Sequence, residues 1–378
     1  MTRKLNLFVL VAILLSACSM PVPTATSVPA GGKCGDGACE GVENAVNCPA
    51  DCSAPGGTPD AAPVHAEDAP LFITTMTHME GNWNDDQSEG LFLRHVAQLR
   101  YGMDLAEEYA ALITIESEKP FARGNTLWGV NIMGEVSDRG FGVGTHCDIG
   151  YNDPPMSVEE YAALFVENKS LVDALVGAEN NLGCSGGGSV NDWALAASLA
   201  GFEYIDGMVA MHYLSMPMEN RPGPGWTDEF IRAGNFHLNA PLDLYDRLYP
   251  YEVANAEDFA ADEDPVILVS SGELGLISAI AERGREYYNG GEVLRDEEYA
   301  FDFADVDAIV ATILEVDAAR DRTRIAKLTV YIPSRYYDDG YEVVLRYFFE
   351  QMKLLADQGI VTWATQRQVY EAYMDWNY

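Results

Sequence analysis

Two short runs of this chain end in the same way. "TTMTHMEGNW", Thr74 to Trp83, begins like a buried strand and finishes with His78 and Glu80 one residue apart. "FGVGTHCDIGY", Phe141 to Tyr151, finishes with His146 and Asp148 in the same relation. Side chains two apart on a strand share a face, so each imidazole can act beside its carboxylate. Two imidazoles and two carboxylates converging at strand ends make a nitrogen-and-oxygen site for a divalent metal such as zinc. One such pair would only line a wet strand end; two pairs point to a shared ion. The intervening Met79 and Cys147 face the other way. Cys184 ends the next strand-like run, in "NNLGCSGGGSVNDW". A Cys147–Cys184 bridge would join neighbouring strand ends; the alternative is two buried free thiols.

The elements that must position these groups alternate. Strand-like runs fall at Leu71–His78, Ala111–Glu116, Phe141–His146, Asn180–Cys184, Gly207–Leu214, Pro265–Ser270, Leu328–Pro333 and Ile360–Trp363. Amphipathic stretches lie between them, near 88–100, 122–138, 157–176, 190–200, 274–288, 303–320, 338–358 and 366–375. Ser157 to Glu160 and Thr365 to Gln368 are capping-box signatures. Tyr161, Leu164, Phe165, Val172 and Leu175 keep helical spacing after the first of them. Such alternation predicts an α/β fold with a parallel sheet, and seven or eight repeats suit a (β/α)7-8 barrel, closed or nearly so. An open doubly wound sheet is the alternative. No Gly-rich phosphate fingerprint follows the first strand, which speaks against a dinucleotide binder. In either architecture the site belongs at the carboxyl ends of the strands, where both His-x-acid pairs fall.

The first seventy residues are of another kind. Arg3 and Lys4 precede an apolar run from Leu5 to about Leu15, too short to span a bilayer and followed by small residues, as in a secretory signal. Leu15-Ser16-Ala17-Cys18 resembles a bacterial lipobox. That resemblance implies a signal peptide over 1–17, cleavage before Cys18 and diacylglycerol on its thiol; an ordinary signal with an incidental cysteine is the alternative. Residues 18–33 and 53–70 are rich in Pro, Ala, Gly, Thr and Ser and read as linkers. Between them, residues 34–52 hold Cys34, Cys39, Cys48 and Cys52. Export favours two disulfides there, in any of three connectivities, over a zinc site. This stapled module resembles the small "CGDGxC…E…NCPxDC" units of secreted microbial proteins, and its acids could also hold calcium. Residues 71–378, about 310 in number, suffice for one large domain. Fifty-nine acids against 23 bases, a formal net charge of −36, exclude a nonspecific nucleic-acid binder.

Four segments carry a family resemblance. "THMEG" (Thr77–Gly81) lies over the "TFDDG" motif of polysaccharide deacetylases, the NodB-homology domain, and "RGFGVGTHCDIG" (Arg139–Gly150) resembles their second motif. "GCSGGGSVNDWALAASLAGFEY" is similar to their third strand and helix, and the stretch from Val330 to Tyr373 to their last helix-strand-helix. The resemblance implies a deacetylase-like barrel and a metal-dependent hydrolase that removes acetyl groups from a glycan. The catalytic letters depart from the pattern. The family's general base falls on Met79, its ligand carboxylate on Glu80 and its first ligand His on His146. Its second ligand His falls on Gly150, with Asp148 the nearest replacement. The third motif's Arg and Pro are absent, and the late His falls near Ser334.

The expected metal set is therefore Glu80, His146, Asp148 and His78, with His78 the member that stays outside a catalytic ion's shell. The base would be His78, Asp85, Asp86 or, on a neighbouring loop, Asp192. Trp83, Trp193, Trp226, Tyr336 and Tyr337 sit near strand ends, where aromatic faces can stack on sugars or simply pack. His212, in "VAMHYLSMP", points either into the mouth or into the core; His95, on a helix, reads as bland. Two functions remain. One is a surface-anchored, monomeric, metal-dependent hydrolase of an acetylated carbohydrate polymer, tied to the membrane by lipid alone. The other is a deacetylase-like domain that has lost its chemistry and binds a glycan.

Overall fold

The structure is a computed structural model that describes residues 68–147, 154–233, 245–257, 259, 264–281 and 300–378. Asp148, His237 and every cysteine from Cys18 to Cys52 lie outside the described residues. Parallel strands β1 (Leu71–Met79), β2 (Thr114–Ser117), β3 (Gly142–His146), β4 (Gly183–Ser185) and β5 (Tyr204–Ile205) lie side by side in chain order. β6 (Tyr251–Val253) runs antiparallel to β7 (Ile267–Val269), which pairs with β5. β8 (Glu273–Leu276) pairs with β9 (Ala326–Tyr331), and β9 with the other side of β1. β10 (Thr362–Trp363) pairs with Phe72 and Ile73 of β1, below the residues that pair with β2.

The sheet is drawn round by one bent run. β7 and β8 are separated only by Ser270, Ser271 and Gly272, so a single extended segment leaves β5 and joins β9. Gly272 makes the bend at φ +65°, and a Cβ there would run into the backbone oxygen of Lys327. The buried Arg247 guanidinium braces the same corner, donating to Met208 O at 2.9 Å and to Ser271 Oγ. Its backbone oxygen accepts from Gly272 N at 2.6 Å.

Alternation along the strands divides two environments. Ile73 and Met79 of β1, Ile115 of β2, Val143 of β3 and Leu328 and Val330 of β9 belong to the main hydrophobic cluster. Helices α1 (Glu89–Glu108), α2 (Lys119–Leu127) and α3 (Ile132–Asp138) contribute Phe92, Phe121 and Ile132 to it. The alternate set, Thr74, Met76, His78 and Glu80, then Glu116, then Lys327, Thr329 and Tyr331, faces the concave side and is largely polar. Thr74 and Thr329 share a hydroxyl contact of 2.6 Å there. Helix α4 (Val158–Val176) starts at the expected capping box, with Ser157 Oγ accepting from Glu160 N at 3.2 Å. α5 (Trp193–Leu199), α6 (Asp228–Arg232), α7 (Tyr245–Leu248), α8 (Phe303–Ala319), α9 (Glu342–Asp357) and α10 (Gln366–Asn377) complete the described helices.

The α/β barrel class is as expected; two local expectations are not met. Residues 210–215 form a 3-10 helix in place of the expected strand Gly207–Leu214, and the strand of that repeat is Tyr204–Ile205. A short apolar run does not distinguish strand from buried helix. The stretch near 274–288 begins as β8, whose Gly275 marks a bulge in the pairing with β9.

His212 sits on that 3-10 helix and is fully buried. Its Nδ1 accepts from Val209 N at 3.0 Å, Nε2 donates to Gly186 O at 3.1 Å, and Trp193 Nε1 donates to its backbone oxygen at 2.9 Å. Burial pushes its pKa from 6.5 down to about 4, against those backbone hydrogen bonds. The folded ring thus binds fewer protons than the unfolded one between these values. Its contribution is complete above pH 6.5 and is lost as pH falls toward 4, by about 3 kcal/mol. Urea midpoints should therefore fall less steeply over that window for His212→Gln than for the wild type; parallel profiles would refute the assignment. Gly272→Ala should cost about 2 kcal/mol or more, because strain at positive φ adds to a backbone collision. Gly129→Asn, at φ +70° with nothing near its Cβ, should cost far less.

Candidate functional site

In-register parallel strands bring residues of one height side by side. His78 of β1 pairs with Glu116 of β2, and Glu116 with Gly144 of β3. Two residues further along, Glu80, Glu118 and His146 leave the same three strands, Glu118 N donating to Met79 O at 3.1 Å as the ladder ends. The site thus has two tiers, His78 with Glu116 below and Glu80, Glu118 and His146 above. Each tier has a missing side chain that makes room. A Cβ on Gly144 would stand 3.1 Å from Glu116 Cγ, and one on Gly81 would overlap the Glu118 carboxylate.

In the upper tier, His146 Nε2 lies 3.4 Å from Glu80 Oε2 and 3.9 Å from Glu118 Oε1. Its Nδ1 is 3.0 Å from Ser185 Oγ, and Asn168 of α4 donates to its backbone oxygen at 2.7 Å. Ser185 so turns Nε2 toward the carboxylates, the kind of second contact that orients a ligating imidazole. In the lower tier, His78 Nε2 is 3.0 Å from Glu116 Oε2 and Nδ1 is 3.9 Å from Glu80 Oε1. Tyr331 stacks on His78 with centroids 4.7 Å apart, its hydroxyl 3.4 Å from Glu80 Oε1.

Two sets have the residue types and spacing for a cation: His78, Glu116 and His146, or Glu80, Glu118 and His146. An ion bound by imidazole lies in the ring plane, on the nitrogen lone pair. The His78 and His146 rings stack with centroids 3.9 Å apart and planes only 16° from parallel. No point close to both nitrogens lies in both planes, so one ion cannot suit both rings. Of the two sets, the upper-tier one, which leaves His78 outside, is a carboxylate and imidazole combination suited to a divalent ion.

Beneath the tiers lies a buried charge cluster. Burial raises the Glu116 carboxyl, and Asp206 is raised well above the carboxylate range by burial and by the Glu116 charge beside it. Lys327, pushed down to about 8 by burial against Asp206, Glu116 and Glu273, donates to Asp206 O at 3.1 Å and to Ser270 O. The mouth is a cavity of about 110 Å³ walled by Met76, His78, Glu80, His146, Glu273 and Tyr331, among others.

Other sequence candidates lie away from this cavity. Asp85 is buried and its Oδ1 is 2.7 Å from His95 Nδ1, with Trp83 packed on the His95 ring at 4.7 Å. His95, read as bland, is half of a buried pair. Asp86 pairs with Arg123 at 2.7 Å. Asp192 caps α5, accepting from Leu195 N at 3.0 Å, and Trp193 is wholly buried. Trp226 packs edge-on against Tyr213, and Tyr337 OH meets Thr77 Oγ1 at 3.0 Å. Tyr336 is buried against Phe301. His212 stands behind the wall made by Gly186 and Val209 and does not itself line the cavity. Cys147 and Cys184 are joined, Cα atoms 5.8 Å apart, at the ends of adjacent strands as expected. Glu116 and Glu118 were missed, although "ESE" at the end of β2 repeats the period-two signal of the His-x-acid pairs.

No protein-family model matches the sequence, and no curated protein does. Among solved structures, a putative glycoside hydrolase/deacetylase from Parabacteroides distasonis matches at a TM-score of 0.50 and 9% identity, over 82% of this chain and 72% of that one. A putative polysaccharide deacetylase from Mycobacterium smegmatis is similar at a TM-score of 0.45 and 11% identity, over 84% and 95%. PuuE allantoinase is similar at 0.46 and 12%, over the same shares. At 9% identity and a TM-score of 0.50, the likeness to the Parabacteroides distasonis structure speaks to the fold alone, an α/β barrel.

Proposed function

We propose that this chain is a lipid-anchored, metal-dependent hydrolase that removes acetyl groups from an N- or O-acetylated polysaccharide. The observation that carries the reading is the upper tier, in which Glu80, Glu118 and His146 meet at the mouth of a cavity. Three protein ligands leave a coordination position open, the mark of a catalytic site. A divalent ion bound there, zinc by its donor set, would polarise an acetyl carbonyl and make a water more acidic. His78 then takes the place of the base that Met79, turned into the hydrophobic cluster, cannot be. The imidazole accepts a proton from the attacking water. Returning it to the leaving nitrogen or oxygen completes cleavage of the acetyl bond. Tyr331 holds the His78 ring from its other face. The resemblance to NodB-type segments supports the substrate class. Burial of Met79, where that family has its base, favours the second reading, a glycan-binding module without chemistry.

Metal analysis and acetate assay decide between them. Purified chain should hold close to one zinc, with occupancy falling below about pH 6 as the imidazole protonates. His146→Ala and Glu118→Gln should empty the site. His78→Ala should keep zinc while acetate release from N-acetylated oligosaccharides drops a hundredfold or more. Bound zinc with no acetate release in the wild type would establish the binding module, and zinc near zero would dispose of the site. For the anchor, Cys18→Ser should move the protein from membranes to the soluble fraction, since acyl chains supply about 0.8 kcal/mol per buried methylene. Sedimentation of that variant with membranes, together with no palmitate label on the wild type, would refute it.

A further inference from the structure

Gly183 to Gly188 reads "GCSGGG", so Cys184 and Ser185 carry the only side chains in six residues. Both are wholly buried, and both reach the same neighbouring strand. Cys184 is bonded to Cys147, and Ser185 Oγ shares a hydrogen bond of 3.0 Å with His146 Nδ1. Two consecutive residues of β4 thus hold two consecutive residues of β3, one covalently and one by a hydrogen bond. The backbone pairing between these strands is short. Thr145 stands opposite Cys184 and His146 opposite Ser185, and Cys147 N donates to Ser185 O at 2.6 Å as the ladder ends. Crowding explains the glycines. A Cβ on Gly183 would enter the Tyr204 ring, and one on Gly187 would stand 3.0 Å from Phe165 and 3.1 Å from Cys147 O. Glycine supplies no restraint of its own. The segment is therefore fixed through its two side chains and through Gly186 O, which accepts from His212 Nε2 at 3.1 Å.

We propose that the Cys147–Cys184 bond is a positioning device for His146. It fixes Ser185 opposite the imidazole, and Ser185 fixes which edge of the ring is turned to Glu80 and Glu118. This inference rests on the reading of those three residues as the ion's ligands, with Nε2 3.4 Å from Glu80 Oε2. An outer partner that orients a ligating ring carries a share of the metal affinity. Without the bond, the contact depends on a short ladder beside a run of glycine, and the ring gains rotamers that turn Nε2 from the carboxylates. Oxidation completes the site: the two thiols pass two electrons and two protons to a second disulfide, which leaves as two thiols. The reduced chain has the ligands without their geometry.

The test couples the two contacts. Zinc affinity of the full chain, measured by competition with a chromophoric chelator, should fall about tenfold or more in Cys147→Ala/Cys184→Ala. Ser185→Ala should lose a like factor, and the variant with all three changes no more than either, since the bond acts through Ser185. Losses that multiply, or unchanged affinity in the cysteine variant, would overturn the proposal. A merely structural bond moves the melting temperature instead. The cysteine variant should melt lower, while Ser185→Ala, hardly altered in melting, should share its zinc loss. Cys147→Ala/Cys184→Val, which refills the volume, carries the comparison if the alanine pair does not fold. In the metal-free chain the His146 ring, assigned by the signal lost in His146→Gln, should give one narrow carbon–proton signal, broadened or doubled without the bond. The same narrow signal in both chains would refute the positioning role. A wild type that holds no zinc removes the hydrolase reading, and the ring signal then decides the positioning role by itself.

Discussion

The site depends on the lateral register of three parallel strands. Thr114 to Ser117 align with Gly142 to Thr145 on one side, and Ile115 to Ser117 with Thr77 to Met79 on the other. Because side chains alternate, one register fixes two tiers at once. A slip by one residue would turn His78, Glu116 and Glu80 outward into the hydrophobic cluster and bring Met79 and Ile115 into the mouth. The apolar outer set, packed under α1 to α3, therefore guards the polar inner set without touching it. The disulfide between Cys147 and Cys184 belongs to the outer set and ties β3 to β4 beside His146.

A polar concave surface exacts a cost that the rest of the barrel must cover. Glu116, Asp206 and Lys327 are all buried, where apolar residues of like volume would be at least as stable. Glycine recurs where this arrangement crowds the chain: Gly144 beside Glu116, Gly81 beside Glu118 and Gly272 against the Lys327 backbone. At the first two a side chain would displace a carboxylate from its tier. At the third it would open the bend that joins β5 to β9.

Several residues with chemical potential turn out to be scaffolding, and the difference is burial. Asp85 and His95 have the pairing of a catalytic dyad but hold the loop after β1 to α1, with Trp83 laid over them. Asp192 ties α5 to Ala256, and His212 braces the wall from behind. Residue type marks such groups as candidates; only what surrounds them separates a base from a brace.

From the sequence alone came the alternation of elements, the barrel class, the capping boxes at Ser157 and Thr365, the Cys147–Cys184 bond and the placing of His78, Glu80 and His146 at strand ends. These follow from local rules: period, capping and the opposite faces of adjacent residues. The tertiary structure decided how the strands align, and this was not legible because register is set by contacts between segments distant in the chain. It moved His78 one tier below His146, stacked their rings so that one ion cannot suit both, and supplied Glu118 and Glu116 from a strand whose "ESE" had drawn no notice. It also carried one bent run from β5 to β9 through Gly272, since a bend between two partners has no local signature beyond a glycine. Spacing along the chain can say which groups share a face; only the packed barrel brings faces of different strands to one height.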